Sequence, residues 1–260
     1  MKLGFRLIGG YSDLIYLIDM DGTIHRGSCP IQHAKEFIRY LQGGNRTFFL
    51  VTNCPGSFQD DLAEKLQTMG IDVEPDNIIT SADATADYLA SNTFCSKVYF
   101  IGGNALKEKI ARKGIDIVSE GPDYVVVGYD KEFNYEKMKK ATQFILDGAG
   151  YVCTNGDSTI PDGNKLVPHT GAIAASIEAA SGVKPMIIGK PEPYLLDMLS
   201  RRFNLKRDRF CIVGDRLDTD IYFGVKQNTF SFLVLAGVTG MEELKKVRYN
   251  QQKSLTIYMT

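Results

Sequence analysis

The chain contains no apolar run approaching the ~18 residues that a membrane span requires, and it shows no surplus of charge of either sign. Thirty lysines and arginines stand against 31 aspartates and glutamates, a net charge of −1, with the two signs interspersed. No basic stripe results, which argues against nucleic-acid binding driven by phosphate neutralisation. None of the five cysteines (Cys29, Cys54, Cys95, Cys153 and Cys211) has a C-x-x-C partner. An odd number of thiols, far apart in sequence, reads as reduced cysteine in a cytoplasm rather than as a disulfide framework. Lys2 and Arg6 precede an apolar stretch, but Gly9, Gly10 and Asp13 interrupt it, so a signal peptide is not expected. His25 and His33 have no metal-ligand spacing to another histidine or cysteine and read as ordinary residues.

At 260 residues, 44% apolar and 23% charged, the chain has the composition of a globular protein and room for one large α/β unit or two domains. Strand-like and helix-like patterns alternate almost throughout. Leu14–Ile18, Arg46–Val51, Met186–Ile188, Arg209–Val213 and Thr229–Leu235 read as strands. Ile31–Leu41 and the stretch around Leu195–Phe203 carry apolar residues at helical spacing. Such alternation predicts a parallel sheet with right-handed crossovers. A second series occupies residues 82–181, with strands near Lys97–Ile101, Tyr124–Val127 and Tyr151–Thr154. Its helices are expected near Asn104–Arg112, Tyr135–Asp147 and Gly171–Ala180. The expectation is a Rossmann-like doubly wound core from residues 1–81 and 182–260, with an inserted α/β domain between.

Polar residues collect where the strands of this reading end, which is where open parallel sheets bind ligands. Asp19 and Asp21 leave the first strand two positions apart, so both side chains can point the same way. Gly22 then permits a sharp turn. Alone, Asp-x-Asp-Gly-Thr is a polar turn, and it lacks the further ligands of an EF-hand loop. Two carboxylates this close repel unless a cation or shared chemistry offsets them; nucleophilic attack by an aspartate beside a second acid at a Mg²⁺ site is one such use. Thr52 and Asn53 follow the second strand, offering a hydroxyl and backbone N–H groups to phosphate oxygens. Lys190, between Gly189 and Pro191, supplies a cation. Asp215 and Asp220 follow Phe210–Val213, where they could merely be helix caps, or Asp215 could bind a cation with Asp220 bracing the site from the next helix's first turn.

In this order, Asp19-Met20-Asp21-Gly22-Thr23, Thr52-Asn53, Gly189-Lys190-Pro191 and Gly214-Asp215-Arg216-Leu217-Asp218-Thr219-Asp220 resemble the motifs of haloacid dehalogenase superfamily phosphatases. The resemblance is closest to the NagD-like (p-nitrophenylphosphatase) branch, whose α/β cap is inserted between the second and third motifs, and it spans nearly the whole chain. Ser81-Ala82-Asp83-Ala84-Thr85-Ala86 also matches at the cap's entry. The resemblance implies that Asp19 attacks phosphorus and forms an aspartyl-phosphate, and that Asp21 acts as general acid and then base. It implies Mg²⁺ held by Asp19, the backbone carbonyl of Asp21 and Asp215, with Asp220 acting through a water or as a supporting partner. Thr52 and Lys190 would orient the phosphoryl group, with Gly22 and Asn53 lining its site. Cys54-Pro55-Gly56 departs from the usual residues after the second motif, which puts leaving-group preference in doubt.

The cap would supply the leaving-group pocket, with Thr154, Asn155, Gly156, Asp157, Asp162, Gly163 and His169 as candidate contacts, though a hairpin without a ligand is the plainer reading of that loop. Ten basic against thirteen acidic residues between Ala82 and Ser181 disfavour large polyanions. Small phosphomonoesters are therefore expected: sugar phosphates, nucleoside monophosphates, pyridoxal phosphate, and p-nitrophenyl phosphate in vitro. A phosphotransferase or phosphomutase would use the same aspartyl-phosphate, and a non-enzymatic phosphoacceptor would use the aspartate as a switch. The resemblance leaves open a homodimer made through the caps.

Overall fold

The computed structural model describes residues 13–92, 94–162, 165–242 and 255–258. The chain divides into two compact units, Met1–Leu50 with Leu66–Val73 and Leu205–Thr260, and Val51–Lys65 with Glu74–Asn204. Ile15–Asp19 is buried along Ile15, Tyr16, Leu17 and Ile18, none more than 4% exposed, as a strand covered on both faces requires. It pairs in parallel with Phe210–Gly214, Ile15 opposite Phe210 and Ile18 opposite Val213. The same sheet runs outward through Phe230–Val234 to Leu255–Tyr258, again in parallel, and on the other side of Ile15–Asp19 its order continues with Phe48–Thr52. Helix Ala34–Gly43 buries Ala34, Ile38 and Leu41, at the four- and three-residue spacing of one helical face. Each large aliphatic group buried this way contributes about 1.5–3 kcal/mol.

In the second unit the end of Phe48–Thr52 neighbours Ile78–Thr80. A separate parallel sheet has the order Met186–Ile187, Gly150–Cys153, Tyr124–Val127, Lys97–Ile101, Asp116–Ile117. Its central strand separates two cores because side chains alternate along it. Val125 and Val127 join Ile145, Tyr151, Ile173 and Ile177, whereas Val126 joins Ala82, Ala86, Leu89, Leu106 and Ile110. Helices Tyr135–Leu146 and Thr170–Ser181 supply the first core, and Ser81–Ser91 and Asn104–Arg112 the second. Thr159–Asp162 and Lys165–Pro168 form an antiparallel hairpin.

One strand is not where the alternation placed it. Met186–Ile187 was expected with the first series, and it pairs instead with Gly150–Cys153 of the second sheet. Two apolar residues carry no information about their partner. What decides is that Ile187 packs against the Tyr151–Ile173 core, and that the Ile188 and Gly189 N–H groups extend the ladder to Cys153 and Thr154. The four polar segments are therefore not all strand ends of one sheet.

Candidate active site

Asp19 is the last residue of its strand and is half-buried, whereas the Asp21 side chain is 66% exposed. The turn between them is fastened on Met20, whose carbonyl accepts the N–H groups of Ile24 and His25 at 2.9 and 3.1 Å. Gly22 closes the turn at φ 93°, and a Cβ there would lie 2.7 Å from Cγ of Asp215. Both the positive φ and this close approach demand glycine.

Asp215 follows the adjacent strand Phe210–Gly214 and is fully buried. Thr23 Oγ1 donates to its Oδ1 at 3.3 Å, and the Val238 N–H donates to its Oδ2. The loop that carries Val238 is held by Arg26, whose guanidinium donates to the carbonyls of Ala236 and Gly237 at 2.8 and 3.0 Å. Asp220 lies in the π-type turn Leu217–Ile221, 1% exposed, and accepts the Arg216 N–H at 3.2 Å. Gly214 lets Asp220 lie against the strand end, since any Cβ there would overlap the Asp220 carboxyl.

Asp19, Asp215 and Asp220 each offer a carboxylate oxygen, and these atoms lie within 4.8 Å of one another. An all-carboxylate oxygen set of this kind suits a hard divalent cation. Asp220, expected to act through a water or as a supporting partner, contributes one of these oxygens. Asp218, two residues earlier, is diverted: Arg216 donates to its two oxygens at 3.0 and 2.8 Å. That side-chain hydrogen bond from Arg216 holds the Asp218 carboxyl below its usual range. His25 is a core residue, 1% exposed, and its Nδ1 lies 3.6 Å from Oδ1 of Asp21.

The second unit brings together another group. Thr52, 5% exposed, accepts the Cys54 N–H on Oγ1 at 3.0 Å, which leaves its hydroxyl hydrogen to donate elsewhere. Lys190 is 3% exposed, and its backbone is bound to the side chain of Asn53. Asn53 also binds Asp157, and its carbonyl accepts Ser81 Oγ and Asn155 Nδ2. Asn155 Oδ1 in turn accepts the Asp157 N–H at 3.1 Å. Sequence reasoning did not single out Ser81 by itself; a hydroxyl at a helix start is normally a cap and carried no signal of this contact.

His169 stands at the start of helix Thr170–Ser181, 2% exposed, and among the described residues neither ring nitrogen has a hydrogen-bond partner at ordinary geometry. Its ring lies 4.7 Å from that of Tyr129 at a 32° tilt. Burial lowers its pKa, against an opposing pull from Asp157. Tyr129 was not anticipated either, since forty positions separate it from His169. Asp162 ends the first strand of the hairpin, and Gly163 lies outside the described residues. All five cysteines are free. Burial pushes the Cys153 thiol up to about 12 and raises Cys211 as well, so neither is a reactive thiolate. Among the described residues no helix is long and apolar enough to cross a membrane.

The sequence matches two family models, haloacid dehalogenase-like hydrolase over residues 16–116 and HAD-hydrolase-like over residues 187–256. It is 38% identical over 232 residues to an acid sugar phosphatase of Staphylococcus saprophyticus subsp. saprophyticus, covering 89% of this chain and 90% of that one. Its structure is similar to that of 4-nitrophenylphosphatase from Thermotoga maritima, with a TM-score of 0.88, 33% identity and 95% of each chain covered. It is also similar to NagD from E. coli K-12, with a TM-score of 0.87, 31% identity, and 94% of this chain and 95% of that one covered. The chain belongs to the haloacid dehalogenase-like hydrolases, as a phosphatase of their NagD-like branch.

Proposed function

We propose that the protein hydrolyses small phosphomonoesters with the help of Mg²⁺, through a phosphoryl group carried on Asp19. The observation that carries this reading is the set of Asp19, Asp215 and Asp220 oxygens within 4.8 Å of one another, beside an exposed Asp21. Asp19, Asp215 and Asp220, with the Asp21 carbonyl, are the residues to hold the cation, which offsets their mutual repulsion and the charge of the phosphate.

In the first step an oxygen of Asp19 forms a bond to phosphorus while the ester oxygen departs, taking a proton from Asp21. In the second, Asp21 removes a proton from water, whose oxygen attacks phosphorus and frees Asp19 and inorganic phosphate. The exposure of Asp21 suits a group that exchanges protons with both leaving group and water, and the buried His25 beside it suits its orientation. The Thr52 hydroxyl and the Lys190 ammonium take the phosphoryl oxygens; removing one such donor commonly costs ~10²–10³ in rate.

Residues 82–181, their sheet completed by Met186–Ile187, serve as the cap in this reading, and 1–81 with the remainder of 182–260 as the catalytic core. Sugar phosphates and nucleoside monophosphates are the favoured substrates, supported by the acid sugar phosphatase relative and by the acidic balance of the cap. The five free thiols support a cytoplasmic location.

Release of inorganic phosphate from p-nitrophenyl phosphate in Mg²⁺, with water as the only acceptor, tests the reading and separates it from phosphotransfer. Asp19→Asn keeps the side chain's shape while removing the attacking carboxylate and one charge of the cation set, so turnover should vanish while the circular dichroism spectrum is unchanged. More than a few per cent of residual activity would refute the role of Asp19.

A further inference from the structure

The Asn53 side chain is bound to Lys190 and Asp157. Its Oδ1 accepts the backbone N–H of Lys190 at 2.9 Å, and its Nδ2 donates to the backbone carbonyl of the same lysine at 3.1 Å. The second Nδ2 hydrogen goes to Oδ2 of Asp157 at 3.1 Å. An amide has two hydrogens, and both are used. The opposite amide orientation is ruled out chemically, because it would set an oxygen against the Lys190 carbonyl and the Asp157 carboxylate. The backbone carbonyl of Asn53 is held too, by Ser81 Oγ at 2.7 Å and Asn155 Nδ2 at 2.8 Å.

We propose that Asn53 is a positioning residue for Lys190: it grips the lysine backbone from both sides and so fixes where the ammonium is presented. The inference rests on the phosphatase reading above and assigns Asn53 a task within it. A lysine side chain is a flexible four-carbon stem, and ordering it costs rotamer entropy. Fixing N–H and C=O of the same residue removes backbone freedom at the root of that stem, so less remains to be ordered when phosphate binds. Aspartate in place of Asn53 would lack both donors, and alanine would lack all three bonds.

Gly189 shows how closely the grip is built. A Cβ at that position would lie 2.6 Å from Asn53 Oδ1 and 2.8 Å from the Thr154 carbonyl. Glycine there lets Asn53 reach the next residue, a reason for Gly189 distinct from any turn requirement. The contact to Asp157 ties the same clamp to the loop Asn155–Asp157, which Asn155 bonds a second time through the Asn53 carbonyl.

A double-mutant cycle tests the proposal, using kcat/KM for p-nitrophenyl phosphate on the full chain with Asn53→Ala, Lys190→Ala and the pair. Asn53→Ala should lower kcat/KM about tenfold or more when Lys190 is present, and less than about twofold when it is alanine. Equal losses in both backgrounds would show that Asn53 does not act through Lys190. Gly189→Ala should reproduce the Asn53→Ala loss; wild-type activity in that variant would overturn the geometric argument. Amide hydrogen exchange at Lys190 reads the clamp without reference to catalysis. It should accelerate about tenfold or more in Asn53→Ala, and an unchanged rate would sink the proposal. If Asn53→Ala fails to fold, Asn53→Asp asks the same question: wild-type kcat/KM in it would refute the need for the two donors. Failure of the phosphatase reading shows differently, as unaffected turnover in Asp19→Asn with the exchange result intact.

Discussion

Asp83 sits three residues into helix Ser81–Ser91, where replacing it should reveal how the turn beneath Asn53 is secured. Its Oδ2 accepts the Thr80 N–H at 2.9 Å, the Thr80 hydroxyl at 2.7 Å and the Lys109 ammonium at 2.7 Å. Thr80 and Asp83 form a reciprocal capping box. Lys109 is 8% exposed, and apart from Asp83 its ammonium donates to Thr80 Oγ1 at 3.0 Å. Asp83→Ala therefore removes the reciprocal half of the capping box, while Thr80 can still accept the N–H of residue 83, and it strands a cation away from water. Losing that half costs at most about 1 kcal/mol, but breaking one side of a buried pair costs about 3–5 kcal/mol, so the stranded ammonium dominates. The expected total is about 3–5 kcal/mol, or roughly 10 °C in melting temperature for a chain of this size.

Lys109→Met tests whether the charge is the cause. It leaves Asp83 with both Thr80 bonds and should cost no more than about 1–2 kcal/mol. Asp83→Asn with Lys109→Met should cost about the same as Lys109→Met alone, because replacing both ions is close to neutral. Burial already lowers the Lys109 pKa, and Asp83 opposes that shift. Without Asp83 the folded pKa falls further below that of the unfolded chain. In the window between them the unfolded state binds more protons, so stability rises with pH. Asp83→Ala should thus recover on going from pH 7 to 10 more than the wild type does. Urea midpoints followed by circular dichroism give all four numbers. Lys109→Met costing as much as Asp83→Ala, or no alkaline recovery in the latter, would refute the reasoning.

Asp215→Ala should weaken Mg²⁺ dependence and maximal rate together, since a buried oxygen of the three-carboxylate set is lost; an unchanged Mg²⁺ titration of phosphate release would remove Asp215 from the ligand set. For His169, burial sets the folded pKa below the unfolded value of about 6.5. The unfolded chain then binds more protons below that pH, so the stability contributed by the neutral ring is full above about 6.5 and lost as pH falls through the folded pKa. His169→Gln should flatten the fall in melting temperature between pH 7 and 5, and an identical slope in both proteins would contradict a neutral buried ring.

Local pattern was informative where an element closes on itself. Lys97–Ile101, Tyr124–Val127 and Asn104–Arg112 were legible residue for residue, because each is an apolar or amphipathic run bounded by polar or glycine positions. The acidic candidates were legible as a set, from their place after apolar strands. The motif resemblance named Asp220 rather than Asp218, and the physical reason is tertiary: Arg216 engages Asp218, while the bare Cα of Gly214 lets Asp220 join the cluster. Nothing in the adjacent letters of Thr52 and Asn53 shows that the Asn53 amide is bound to a lysine backbone 137 positions away.

The amino-acid sequence alone determined the kinds of element, the chemistry available at their ends and the family to which the chain belongs, since each is written in neighbouring residues through periodicity, turn chemistry and short motifs. Only the tertiary structure decided which acids meet, which strand Met186–Ile187 pairs with and what holds Lys190. Those outcomes depend on hydrogen bonds between residues as far apart as Thr23 and Asp215, 192 positions in sequence. Directional bonds of that range are set by packing, where a missing Cβ at Gly22, Gly189 or Gly214 settles which side chain can approach.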